Sequence, residues 1–250
     1  MIEFRDEIPR KHKTIYIYII VLFIIILITI IASQLLKYQV EGEQNLPFNI
    51  NQILIISTAD GIPNSNTDKK WDFSILQNND VYIEVEKKVP QNDSLNRIIL
   101  GNFNIISYPQ KGEPKFYHPI DDKDLIFIYN DENIINDEIV FNVSDNSNLK
   151  KLSISQDRGI VAFSYCSTNI ATYSSNDDTE ITYDGKLLNK VNISEAEVKS
   201  ELSFDLIVEM QSNKKYKTTI NLQLPLDNFT RDGIIQHEIT DFSNLIFKRV

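Results

Sequence analysis

His118, Asp121, Asp122 and Asp124 place an imidazole and three carboxylates within seven residues of one another, the densest set of chemistry-bearing side chains in the 250-residue chain. Oxygen-rich loops hold calcium, and a histidine beside carboxylates can hold a transition metal or relay a proton. The spacing fits no established metal signature, and the glycine of a tight calcium loop is missing. A solvated loop is therefore the plainer expectation, with these four residues as the candidate metal ligands.

Two further acidic groups, Asp131, Glu132, Asp137 and Glu138, then Asp177, Asp178 and Glu180, read as solvated turns. His12 lies in a basic N-terminal stretch, which leaves His118 and His237 for general-base work. No serine sits in a Gly-x-Ser-x-Gly elbow or a Ser-x-x-Lys motif. Phosphate-cradling glycine loops are absent. Cys166, the single cysteine, lies in the apolar run Ile160 to Cys166 with no basic neighbour to activate it, so it reads as an inert core thiol. Together these features disfavour an enzyme, and no cofactor is expected.

The elements that carry these residues follow an apolar run. Thr14 to Leu36 are twenty-three uncharged residues, and Ile15 to Ile31 are apolar or aromatic apart from Thr29. As a helix the run reaches about 34 Å, enough for a hydrocarbon core about 30 Å thick. Residues 1–13 carry Arg5, Arg10, Lys11 and Lys13, whereas Lys37 is the single basic residue from 37 to 56. That bias predicts a cytoplasmic tail over 1–13, a transmembrane helix over 14–36, a tether over 37–51 and an extracytoplasmic domain over 52–250. A cleavable signal peptide is the rival, but its apolar core is usually about 7 to 15 residues, and cleavage after Ala32 would leave bulky Ile30 where a small residue is preferred.

Setting aside the tail's four basic and three acidic residues, 21 basic face 32 acidic residues, a net charge of −11. Such a surface opposes nucleic acid and anionic headgroups. With one cysteine the domain has no internal disulfide and must be held by its core, which fits a bacterial envelope better than a eukaryotic secretory route. The sequons at Asn92, Asn142, Asn192 and Asn228 are expected by chance in so asparagine-rich a chain.

Period-two alternation dominates the rest. Asp80 to Lys87 sets Val81, Ile83 and Val85 against Tyr82, Glu84 and Glu86. Leu202 to Met210 and Tyr216 to Leu224 alternate across five loop residues, which predicts a hairpin. Asp184-Gly185 predicts a second hairpin between Thr182-Tyr183 and Lys186-Leu187. Other strand candidates are 53–57, 72–76, 97–106, 125–129, 138–143, 152–155, 168–173 and 245–248, with turn-rich breaks such as Asp60 to Asp68 and Asp145 to Asn148. A strand run from Trp71 carries the lone tryptophan as a core residue. Ser194 and Glu197 make a capping box, with Ile193 and Val198 as its staple, predicting a helix of about two turns.

The expected fold is thus mainly β, an antiparallel β-sandwich, Ig-like in architecture, after one N-terminal transmembrane helix. Val81 to Ile106 reads as a hairpin that loosely matches Phe204 to Leu224, leaving open two sandwich halves meeting near 145–148. The expected function is a single-pass, membrane-anchored binding or scaffolding module of the bacterial cell surface with a protein partner. The alternatives are an envelope hydrolase or metal-dependent enzyme using His118, Asp121, Asp122 and Asp124, and a surface sensor read through the short tail.

Overall fold

The structure is a computed structural model and describes residues 10–67, 70–89, 93–118, 131–143, 152, 154–175 and 186–250. It divides into a helical unit ending at Gln44 and a β unit from Asn45 to Val250.

The helical unit is α1, Arg10–Glu41. Its stretch Ile15–Glu41 is long and apolar enough to cross a membrane. A run so rich in β-branched Ile has only modest helix preference in water. In a hydrocarbon solvent, however, a lone segment satisfies its backbone only as a helix. Leu22 and Phe23 are 58% and 66% exposed, so this apolar surface has no protein cover among the described residues. The Thr29 hydroxyl donates to the Ile25 carbonyl at 2.8 Å, which leaves no dangling donor on the apolar surface.

The β unit contains β1 (Phe48–Thr67), β2 (Lys70–Lys87), β3 (Leu95–Ser107), β4 (Glu113–Tyr117), β5 (Ile139–Asn142) and β6 (Arg158–Ser175). The short helices α2 (Lys186–Lys190) and α3 (Glu195–Val198) precede β7 (Ser200–Met210) and β8 (Lys215–Leu224). Last come α4 (Phe229–Asp232), β9 (Ile235–Ile239) and β10 (Lys248–Arg249). Two antiparallel five-stranded sheets result, β4-β6-β2-β1-β9 and β10-β8-β7-β3-β5.

The sheets pack face to face because alternate residues of each are apolar. Ile53, Ile55, Val81, Ile83, Val161 and Phe163 from one sheet meet Ile98, Leu100, Phe204, Leu206 and Val208 from the other. Phe163 and Phe204 join the layers edge to face at 4.9 Å, with Phe103 5.1 Å from Phe163, the geometry that aromatic quadrupoles favour. Farther along β1, β2 and β6 a second apolar cluster forms where Ala59, Ile75 and Ile170 are covered by Leu187, Leu188, Ile193, Val198 and Phe229.

A buried amide belt lies along the same strands. Ser57 Oγ and Gln77 Nε2 donate to Asn79 Oδ1 at 2.7 and 2.8 Å, and Asn79 Nδ2 donates to Gln77 Oε1 and to the Tyr165 carbonyl at 3.0 and 3.2 Å. These reciprocal bonds satisfy three side chains that would otherwise be costly to bury.

Several expectations are met. β7 and β8 pair as a hairpin from Ser200 opposite Leu224 to Glu209 opposite Lys215. The Ser194 backbone N–H and hydroxyl both donate to Glu197 Oε2, at 2.9 and 2.8 Å, and Val198 is buried. The helix is one turn and not two, because Lys199 is already extended and Ser200 enters β7.

Four readings are corrected. Asp60 to Asp68 was expected as a turn, but β1 continues to Thr67, with Gly61 opposite Ile75 and Ile62 opposite Ser74. The register shift between Pro63 and Ser65 leaves Asn64 as the extra residue, next to the proline that cannot donate to the ladder. Lys186-Leu187 is the start of helix α2 and not a returning strand, since Leu187 and Leu188 both bury in the second cluster. Val81 to Ile106 is no hairpin, because β2 pairs with β1 and β6 while β3 pairs with β5 and β7 in the other sheet. Finally, the strand candidate 168–173 is continuous with the apolar run Ile160 to Cys166, and both belong to β6. The candidates at 125–129, 145–148 and 184–185 lie outside the described residues, as does the Trp71 side chain.

Candidate functional site

His118 follows β4 directly, exposed, with its backbone N–H donating to the Asn133 carbonyl at 2.8 Å. Asp121, Asp122 and Asp124 lie outside the described residues, so the proposed cluster is placed at its histidine alone. Among the described residues no group of three His, Cys, Asp or Glu side chains converges on a common point. The acidic residues 177, 178 and 180 are likewise outside the described residues.

Cys166 is fully buried beside Leu76 and Tyr117. Burial, with smaller contributions from the charges of Asp80 and Asp60, pushes its thiol well above the usual range, as expected for an inert core thiol. Asp80 is itself raised by burial, against hydrogen bonds from Ser164, at 2.6 Å, and Asn78. Tyr165, buried beside Ser200, is pushed up to about 12 mainly by desolvation.

The buried carboxylates on the outer sheet faces are neutralised across strands. Glu84 Oε1 accepts from Asn51 at 2.9 Å and pairs with Arg158 at 2.8 Å. Glu209 Oε2 pairs with Arg97 at 2.7 Å and Lys215 at 3.4 Å. Asp205 pairs with Lys217 at 2.7 Å and accepts from Thr219 at 2.6 Å and from Asn102. Burial alone would raise all three, but hydrogen bonds and neighbouring cations hold each below its ordinary value. Carboxylates held ionised and saturated in this way are fasteners, poorly suited to proton transfer at neutral pH.

Two grooves remain. One, about 350 Å³, lies on the outer face of the first sheet over Gln52, Leu54, Ile56, Tyr82, Glu84 and Ile160. The larger, about 480 Å³, lies at one end of the sandwich. The chain entering β1, the residue after β2 and the segment leading into β10 build it together. Phe48 forms its floor, edge to face with Phe247 at 5.2 Å and with Tyr216 at 5.6 Å. A turn closed by the Leu245 N–H on the Phe242 carbonyl at 3.0 Å presents Phe242 and Leu245 as one wall. The Lys88 N–H donates to the Pro47 carbonyl at 2.8 Å, fixing the opposite rim, where Asn49 and Asn51 supply amides.

This groove falls within the size range of small-ligand sites, and its lining mixes apolar rings with the polar groups of Asn49, Asn51 and Lys88. Its lining holds one amine, from Lys88, and no carboxylate, imidazole or thiol. It can hold an apolar group and orient a polar or anionic end, and it lacks a general base or nucleophile of its own. Sequence reading missed it, since its aromatic residues come from turn-rich ends of the β unit; the one available signal was Phe242 and Phe247 in a segment without strong period. The chain matches no family model, no curated protein and no solved structure.

Proposed function

We propose that the protein is a single-pass, membrane-anchored β-sandwich, Ig-like in architecture, acting as a binding or scaffolding module at a bacterial cell surface, with its β unit extracytoplasmic and a protein as partner. The observation that carries the binding reading is the end groove: Phe48, Phe242, Leu245 and Phe247 around a space of about 480 Å³, with Lys88 as its charged group. The anchor reading is supported by α1 and by the four-to-one bias of basic residues across it. The net charge of −11 beyond residue 36 argues against nucleic acid as a partner.

The test is a photo-reactive phenylalanine analogue at position 242 of the full chain in intact cells. One discrete polypeptide adduct is expected, lost when Leu245→Asp and Lys88→Glu are introduced. Absence of any adduct, or adducts indifferent to those two changes, would refute groove binding. A cysteine at exposed Ser107 that resists a membrane-impermeant maleimide in intact cells would refute the orientation.

A further inference from the structure

α1 stops sharply, and β1 begins soon after it. The Gly42 N–H, at a φ of 68°, closes the last turn on the Tyr38 carbonyl at 2.9 Å, and Gln44 Nε2 donates to the Glu41 carbonyl at 3.1 Å. A glycine in the left-handed region at this position ends a helix within one residue. Lys37 is the first charge after the uncharged run, so with Thr14–Leu36 in hydrocarbon the segment Lys37–Glu41 rises about 7.5 Å, the depth of one headgroup layer. Residues 42–47 then lead to Phe48, and the path from Glu41 to Phe48 cannot span more than about 25 Å.

The sandwich end that begins at Phe48 carries side chains suited to a headgroup layer. Val89, which follows the groove-rim residue Lys88, is 89% exposed, and Ile246, between the wall residues Leu245 and Phe247, is 43% exposed. Charge at this end departs from the acidic balance of the chain. Its ion pairs cancel, Lys87 with Asp157 at 3.7 Å, Arg158 with Glu84 at 2.8 Å, and Arg97 and Lys215 with Glu209. Lys88, Lys214, Lys248 and Arg249 then stand against Glu86, Asp93 and Asp241. The excess of positive charge is small, but the chain beyond residue 36 carries −11, so the remainder of the β unit is repelled by anionic headgroups while this end is not. Apolar tips among lysines and arginines are the means by which protein surfaces settle into a membrane interface. We infer that this end of the β unit seats on the bilayer in which its own chain is anchored, with Val89 and Ile246 in the headgroup layer and Lys88, Lys214 and Arg249 on lipid phosphates. Covalent attachment selects the occupant: a surface tethered within about 25 Å of the bilayer meets it at an effective concentration of about millimolar. The inference rests on the anchor reading of α1 and not on what the end groove binds. A protein reaching the groove would then approach along the membrane plane.

The test uses the full chain in nanodiscs of phosphatidylcholine and phosphatidylglycerol, with an environment-sensitive fluorophore on one introduced cysteine and a headgroup spin-labelled lipid as quencher. Cys166 is buried and gives no background. Asn244→Cys, exposed on the turn between Phe242 and Leu245, should be quenched at least about threefold more than Ile62→Cys, exposed on β1 and about 45 Å along the strand from Phe48. Val89→Asp with Ile246→Asp should bring the Asn244 signal down to that at Ile62, because carboxylates are driven out of an anionic headgroup layer. Both positions are exposed, so the far-UV dichroism should not change. Leu36→Cys, in α1, separates this inference from the anchor reading. Strong quenching at Leu36 with Asn244 no higher than Ile62, or an Asn244 signal unmoved by the two aspartates, overturns the seating alone. Absence of quenching at Leu36 overturns the anchor reading and the seating with it.

Discussion

Replacing Phe163 by alanine tests the central claim of the fold, that the two sheets are held by aromatic contacts across one core. Phe163 is fully buried, 4.9 Å from Phe204 and 5.1 Å from Phe103 by ring centroid. Burying a phenylalanine and losing it to a cavity costs about 3–5 kcal/mol. For a chain of this size each kcal/mol moves the melting temperature by about 2–4 °C, so a fall of about 6–20 °C is expected. The assay is the far-UV dichroism melt of the full chain in detergent, with Ile106→Ala, a half-exposed position on β3, as the reference that should move by less than about 2 °C. Phe163→Leu and Phe204→Leu together should cost about 0.5–1.5 kcal/mol less than the sum of the two single losses, since either change alone already removes the ring contact. A fall below about 3 °C for Phe163→Ala, with zero coupling, would mean that the two rings do not meet and that the sheets are not packed as described.

Two other outcomes follow from the same coordinates. Glu84, Asp205 and Glu209 titrate below their ordinary values of 4.5 and 3.8, so the unfolded chain takes up protons first; the stability they supply is whole above those values and is lost as pH falls through the lowered folded ones. Melting temperature should thus drop steeply below about pH 4.5 and less so in Glu84→Gln with Glu209→Gln, whose neutral-pH stability is already reduced; an unchanged acid limb would refute the role of these pairs. Cys166 should resist a maleimide at pH 8 in the folded protein and react within minutes in denaturant, and rapid labelling of the native state would contradict its burial.

What the sequence made legible was what depends on local periodicity. α1 and the β7–β8 hairpin follow from an unbroken apolar run and from strict alternation over nine residues each, patterns with one physical solution. Asp60 to Thr67 misled because Asp, Gly, Pro and Asn are turn formers by local preference, whereas here the partner strand from Lys70 to Leu76 supplies ladder bonds that outweigh it. Lys186 to Lys190 is too short for a period to distinguish helix from strand; burial of Leu187 and Leu188 decides it. Which strands share a sheet was not readable either, since Val85 and Ile98 are close in sequence yet bury toward each other from opposite layers. The end groove was the least accessible of all. Its walls come from residues 46–51, 88 and 242–247, and no window of sequence contains more than one of them.

That composition has a consequence for the order in which the molecule is made. The floor of the groove, Phe48, is made 199 residues before its cover, Phe247. β9 and β10, which flank β1 and β8, also come from the final sixteen residues, Ile235 to Val250. Until residues 242–247 are made, then, the start of β1 keeps a bare aromatic ring, and contacts of such long sequence separation form slowly. A chain cut before Phe242 would keep β1 to β9 and lose one wall and the cover of the groove, so such a cut separates the groove from the sheets that carry it.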